Sequence, residues 1–152
     1  MGSAIMDWLK QAESPDLTTI PPYPLDIQEG DPWQAQMTLR HKGPAAEVDV
    51  RVAIVLPNGV RNWSNAVRVS LPAKADWGDT ETPPVSGVWT HGGLPECNRF
   101  DTELYVHDLA GTQIAGNSST ERYHSVGTGL QVQIVGDRYY APATGWGGWQ
   151  PT

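Results

Sequence analysis

The sequence predicts an all-β domain built from short antiparallel strands. Its 152 residues fit one domain, and 39% hydrophobic against 18% charged residues is a globular composition. Its 16 glycines and 13 prolines are scattered along the chain, as expected where turns join many short strands. Between these turns, apolar residues alternate with polar ones, which is the period of a half-buried strand.

Two segments show this alternation most clearly. The apolar positions of the first are Trp33, Ala35, Met37 and Leu39. The apolar positions of the second are Val48, Val50, Val52, Ile54 and Leu56. Each set is predicted to share one buried face. Asn58 and Gly59 follow the second segment, and both accept the positive φ of a tight hairpin turn.

Further short strands follow at a spacing typical of a sandwich or barrel. They are predicted at Val60–Trp63, Ala66–Leu71, Val85–Trp89, Phe100–His107, Thr112–Ala115, Tyr123–Val126 and Leu130–Val135. A first strand is predicted to begin within Leu25–Gly30. In contrast, Pro72–Pro84 is predicted to be a long, acidic, irregular loop, because it contains three prolines and three acidic residues.

The two ends of the chain differ from this pattern. Ile5, Trp8 and Leu9 fall at helical spacing, so a short amphipathic helix is predicted over Ile5–Ala12. The prolines between Ser14 and Pro24 predict an extended arm. The sequence therefore divides into a helix and arm (1–24), a β-sandwich (25–140) and a Gly/Trp-rich C-terminal segment (141–152).

Charge and composition argue against nucleic-acid binding, a membrane span and an intrachain disulfide. The net charge is −7, and no Lys/Arg cluster offers a basic face for phosphates, so nucleic acid is not an expected partner. No apolar run is long enough for a membrane span. Cys97 is the only cysteine, so an intrachain disulfide is impossible. We expect Cys97 to be a small, partly buried apolar residue.

Several local motifs resemble those of a known class of module. Glu29-Gly30-Asp31 precedes a long strand, Leu56-Pro57-Asn58-Gly59 forms a hairpin, and Leu104–Gly111 resembles a late strand and turn. The chain is similar in these features to immunoglobulin-like and fibronectin-III-like accessory modules of bacteria and bacteriophages. The resemblance implies an antiparallel immunoglobulin-like β-sandwich. It does not imply a ligand.

The tryptophans supply the candidate binding residues. Trp63, Trp77, Trp146 and Trp149 lie beside predicted turns or in predicted loops. Indoles in such positions serve as platforms for sugars or as anchors in protein interfaces. The alternative is that each indole covers one edge of the sandwich. Trp63 and Trp77 are the candidates for ligand binding, and Trp146 and Trp149 join Ile5, Trp8 and Leu9 as candidates for a protein interface.

Catalytic and metal sites are poorly supported by the sequence. Asp76, Asp79 and Glu81 are spaced closely enough to hold Ca²⁺, but they do not match the twelve-residue calcium loop. The four histidines lack zinc-ligand spacing, and no nucleophile or nucleotide-binding motif is present. We therefore expect a non-enzymatic protein without a cofactor.

Two functions from different classes are consistent with these features. The first is a structural or assembly protein, such as a capsid-decoration or tail component of a bacteriophage virion. It would act through contacts with its own copies or with capsid and tail proteins, and it would be located in the virion. The second is an extracellular or cell-surface carbohydrate-binding or adhesion module that uses exposed Trp and Tyr.

Deletion of residues 1–24 tests the predicted arm. Eleven extended residues can reach on the order of 35 Å, far enough to contact a second subunit. Burial of Ile5, Trp8 and Leu9 there would contribute roughly 1.5–3 kcal/mol each. The shortened protein should melt cooperatively as a monomer but fail to assemble, as measured by calorimetry and sedimentation. A monomeric full-length protein at high concentration would contradict this prediction.

Overall fold

The regular structure of the chain is antiparallel β-sheet. The computed structural model describes residues 27–94, 100–116, 129–152 and, for the backbone alone, 124–125. Within these ranges the regular elements are strands, so none of the described residues forms a helix able to cross a bilayer. The predicted helix over Ile5–Ala12 and the arm that follows it lie outside the described residues, as does Cys97.

Twelve strands follow one another along the described chain. They are β1 (Pro32–Gly43), β2 (Ala46–Val55), β3 (Arg61–Trp63), β4 (Val67–Leu71), β5 (Lys74–Glu81), β6 (Val85–Val88), β7 (Asp101–His107), β8 (Gln113–Gly116), β9 (His124–Ser125), β10 (Gln131–Ala141), β11 (Gly145–Trp146) and β12 (Gln150–Pro151).

The strands form two sheets. The seven-stranded sheet is centred on β1, which pairs with β10 on one side and with β5 and β6 on the other. The short strands β9, β11 and β12 pair with β10. In the five-stranded sheet, β2 lies between β7 and the pair β3 and β4, and β8 pairs with β7. The chain crosses repeatedly from one sheet to the other, so neither sheet is a separate unit.

One hydrophobic core receives side chains from both sheets. The two alternating sets predicted from the sequence are buried, including Trp33, Val50 and Val52, each with 0% of its surface exposed. Trp33 packs closely over Gly87, where an added methyl group would lie 2.7 Å from the indole. Gly87 on β6 is therefore required for the Trp33 side chain to fit.

The predicted loop over Pro72–Pro84 is wrong, because most of it is the edge strand β5. Cross-strand contacts on both faces hold β5 against β1. On the inner side, the Nε2 atom of His41 lies 2.9 Å from the Oγ1 atom of Thr80. On the outer side, Arg40 donates a 2.9 Å hydrogen bond from Nε to Asp79. Pairing with β1 thus overrides the turn-like composition of this segment, and an edge strand tolerates polar residues on both faces.

The structure differs from the prediction at the start of the β-domain, and it shows how the C-terminal segment is attached. The described part of Leu25–Gly30 is not a strand. The Oδ2 atom of Asp31 accepts a 2.9 Å hydrogen bond from the backbone N–H of Gln28, and Gly30 takes a φ of 87°, so the chain turns there. At the other end, the C-terminal segment adds β11 and β12 to the seven-stranded sheet by pairing with β10.

Substitution of the central core residue tests this assignment. Val52 on β2 is fully buried and pairs with Leu104 on β7. Val52→Asp would place an unpaired charge in the core at a cost of about 3–5 kcal/mol. We expect loss of the cooperative unfolding transition in urea, whereas Val55→Asp, on the outer face of the same strand, should melt cooperatively. A cooperative melt of the Val52→Asp variant near the parental midpoint would contradict the assignment.

Candidate functional site: an aromatic surface on the five-stranded sheet

The outer face of the five-stranded sheet carries a continuous row of aromatic and cationic side chains. Alternation along β2 places Val50 and Val52 in the core and therefore directs Arg51 outward. Arg51 pairs with Tyr105 on β7, and the next outward residue of β2, Ala53, pairs with Trp63 on β3. We call Trp63, Arg51, Tyr105 and His107 the aromatic ladder.

The ladder is held together by stacking. The guanidinium carbon of Arg51 lies 4.4 Å from the ring centroid of Trp63 and 5.5 Å from that of Tyr105. The rings of Tyr105 and His107 are 6.0 Å apart and inclined by only 18°. Each exposed cation–π contact contributes about 0.5–1 kcal/mol. These contacts favour one arrangement of the ladder in the free chain, although Trp63 remains 42% exposed.

Ion pairs border the ladder. Arg61 donates bonds of 2.9 and 3.0 Å to the two carboxylate oxygens of Glu103, and Arg68 donates bonds of 3.0 and 3.2 Å to those of Asp49. The arginine partner lowers the pKa of each carboxyl. Glu103 also accepts a 2.7 Å hydrogen bond from the hydroxyl of Tyr105. These fork-shaped pairs fix the charged border relative to the rings.

An exposed leucine lies at one end of the ladder. Leu109 is 56% exposed and, with Asp49, Arg51 and His107, lines a shallow depression of about 300 Å³. Hydrogen bonds close the turn that presents it, because the Oδ1 atom of Asp108 accepts them from the backbone N–H groups of Ala110 and Thr112. Apolar surface is therefore held in place at this end.

The opposite sheet carries a groove on its outer face. The groove has a volume of about 630 Å³. It is lined by Thr38, Arg40, Asp79, Glu81, Val135, Gly136, Trp149, Gln150 and Pro151. A bulge in the pairing of β1 with β10 lies at its floor, where the register shifts between Thr38 and Leu39. We call this feature the outer groove.

A second cation–π stack fastens the C-terminal segment beside the outer groove. The guanidinium carbon of Arg138 lies 4.6 Å from the ring centroid of Trp146 and 4.8 Å from that of Trp149. Arg138 also donates a 2.8 Å hydrogen bond to the side-chain oxygen of Gln36. Trp146 and Trp149 are consequently half-buried against their own sheet.

The predicted candidate residues are separated by this architecture. Trp63 and Trp77 are similarly exposed, at 42% and 40%, but they lie on different sheets. Of the five residues proposed for a protein interface, Trp146 and Trp149 contact Arg138. The other three, Ile5, Trp8 and Leu9, lie outside the described residues.

The three acidic candidates for calcium do not converge. Asp76 lies in the irregular part of β5, between the pairs His41–Gly78 and Gly43–Lys74, whereas Asp79 and Glu81 lie in its regularly paired part. Asp79 is occupied by Arg40, which lowers the pKa of its carboxyl. Across the residues that the structure describes, no three His, Cys, Asp or Glu side chains are grouped to hold a metal ion.

Sequence reasoning missed the cationic members of both stacks. Arg51 and Tyr105 occupy outward phases of strands that the sequence did predict, so their presence on one face was available from the alternation. Their pairing required the register of β2 with β7. Comparisons with protein-family models, with curated proteins and with solved structures found no match. The resemblance to immunoglobulin-like modules therefore stays a prediction.

A buried carboxyl joins the C-terminal segment to the seven-stranded sheet. Asp137 is only 6% exposed and accepts hydrogen bonds from the hydroxyls of Tyr139 at 2.7 Å and Thr152 at 2.8 Å. Burial raises the pKa of Asp137, while the two hydrogen bonds oppose this shift. The folded state therefore favours the protonated carboxyl, and ionisation of Asp137 weakens the fold as the pH rises.

Urea unfolding as a function of pH tests this linkage. Wild-type protein should lose stability relative to Asp137→Asn as the pH rises from the ordinary Asp pKa of about 3.9 through the raised value. Asp79→Asn is the matched control with the opposite sign. Arg40 lowers the pKa of Asp79, so ionisation of that carboxyl stabilises the folded state. Wild type should therefore gain stability relative to Asp79→Asn as the pH rises towards the ordinary Asp pKa of about 3.9. Parallel pH profiles for wild type and Asp137→Asn would contradict the argument.

Proposed function

We propose that this chain is a non-enzymatic structural protein that assembles with copies of itself through the outer face of the five-stranded sheet. The observation that carries the proposal is the aromatic ladder of Trp63, Arg51, Tyr105 and His107, whose side chains stack on one another and whose Trp63 is partly exposed. Trp, Tyr and Arg are the residues most enriched among the energetic centres of protein interfaces.

The surroundings of the ladder have the anatomy of an interface. An aromatic centre is bordered by paired charges, and Leu109 extends the apolar surface at one end. Interfaces commonly combine such a centre with a polar rim that excludes water from it. The ladder stands on paired strands, so little conformational entropy would be lost when a partner binds.

The balance of charge on the outer face of the five-stranded sheet favours a second copy of the chain as the partner. The whole chain has a net charge of −7, so its copies repel one another on average. The outer face of the five-stranded sheet is nearly balanced, however, with three arginines and four carboxylates: Arg51, Arg61, Arg68, Glu47, Asp49, Asp101 and Glu103. A patch bearing both signs can pair with itself across a twofold axis.

Arg51 supplies a specific contact for this pairing. Arg61 and Arg68 have carboxylate partners, whereas the contacts that Arg51 makes among the described residues are with aromatic rings. Its guanidinium can therefore donate two hydrogen bonds to a carboxylate of the facing copy, and the rim carboxylates are the nearest source. This contact would set the register of one face against the other.

We propose an immunoglobulin-like arrangement of the two sheets and a virion as the setting. The repeated crossing of the chain between two antiparallel sheets around one core supports the first. The resemblance of the sequence to accessory modules of bacteria and bacteriophages supports the second. In that setting the ladder would join copies of a capsid-decoration or tail component.

Sedimentation of two tryptophan variants tests self-assembly. Wild-type protein should associate reversibly at about 100 µM, and Trp63→Ala should weaken association about 30-fold, equivalent to roughly 2 kcal/mol. Trp77→Ala is the matched control, since it removes an equally exposed indole from the other sheet and should leave association unchanged. Monomeric wild-type protein, or equal weakening by both variants, would refute the proposal.

A further inference from the structure

We infer that the outer groove of the seven-stranded sheet binds an uncharged carbohydrate. This site lies on the sheet opposite the aromatic ladder and does not depend on self-assembly. Three features of the groove support this: an indole wall, a paired donor and acceptor, and a floor that Gly136 leaves open.

Trp149 provides the indole wall. Its ring lines the groove next to Gln150 and Pro151, and Arg138 stacks on it at 4.8 Å. The position of the ring is therefore fixed by the C-terminal segment, which pairs with β10 through β12. An indole is an apolar platform with one polar N–H, and it packs well against the C–H face of a sugar ring.

Gly136 keeps the floor of the groove open. A methyl group at this position would lie 3.3 Å from the backbone oxygen of Gln150 and 3.7 Å from the indole of Trp149. Any larger side chain would therefore displace β12 or fill the groove. The absence of a side chain lets the C-terminal segment approach β10 and leaves room above the sheet.

Arg40 and Asp79 provide the polar contacts. Two hydrogen bonds of 2.9 and 3.3 Å join them, yet their side chains remain 47% and 45% exposed. The pair thus presents guanidinium N–H donors beside carboxylate lone pairs in a fixed geometry. Adjacent sugar hydroxyls each donate and accept, so they match this alternation. Thr38 and Glu81 add further oxygen atoms to the lining.

The balance of charge in the groove selects against ions. Arg40 and Asp79 neutralise each other, and Glu81 leaves a negative excess of one charge among the ionisable residues of the lining. An anionic sugar or a phosphate would meet that excess. A metal ion would have to compete with Arg40 for Asp79. A neutral sugar loses nothing on either count, and the groove volume of about 630 Å³ lies within the range of small-ligand sites.

Affinity electrophoresis of the full chain tests this site. The gels would contain, one at a time, the neutral soluble polysaccharides laminarin, hydroxyethylcellulose, galactomannan and arabinoxylan. We expect at least one of them to retard the wild-type protein. Tryptophan fluorescence titration with the same polysaccharide would then give the dissociation constant.

Two variants would locate the binding. Thr38→Trp fills the groove while leaving Arg40 and Asp79 in the chain, and Asp79→Asn removes the charge while keeping the shape. Each should weaken binding at least tenfold. Val88→Ser is the control, because Val88 is exposed on β6 of the same sheet and does not line the groove. Circular dichroism and thermal melts would confirm that each variant is folded.

Retardation that is lost in a folded groove variant and retained in Val88→Ser supports the site. Absence of retardation by all four polysaccharides, or retardation that persists in folded Thr38→Trp and Asp79→Asn, overturns it.

Discussion

The period-two alternation of the long strands determines both the core and the surfaces of this protein. On β2, the residues that face inward are fully buried, while Arg51 between them projects outward into the aromatic ladder. On β1, Trp33 and Leu39 enter the core, and Arg40 reaches the outer groove. A register slip of one residue would exchange core for surface along the whole strand. The hydrophobic core therefore fixes the positions of both candidate sites.

A guanidinium between two aromatic rings recurs on the outer face of each sheet, with different consequences. Arg138 stacks on Trp146 and Trp149, and so joins the C-terminal segment to β10. Arg51 stacks on Trp63 and Tyr105, both of which belong to strands already paired with β2. The first stack adds to the strand pairing that holds the C-terminal segment in place. The second joins side chains on strands that already pair with β2, which is the physical basis for proposing that it serves binding.

The sequence predicted those parts of the fold in which local pattern and tertiary structure agree. β1 and β2 were recognised because their inward positions from Trp33 to Leu39 and from Val48 to Ile54 are all apolar. The strand β5 was missed because an edge strand with polar residues on both faces has no such pattern, and its order comes from pairing with β1. The candidate sites were only partly predictable for the same reason. Tryptophans beside predicted turns and loops can be found in a sequence, but their stacking partners depend on strand register.

The central claim is that copies of the chain bury the aromatic ladder between them. Hydroxyl-radical footprinting at protein concentrations below and above the onset of association measures this most directly, because it reports the solvent exposure of individual side chains. Oxidation of Trp63 and Tyr105 should fall as concentration rises, while oxidation of Trp77 on the other sheet stays constant. Equal oxidation of Trp63 at all concentrations, or protection of Trp77 in its place, would contradict the claim.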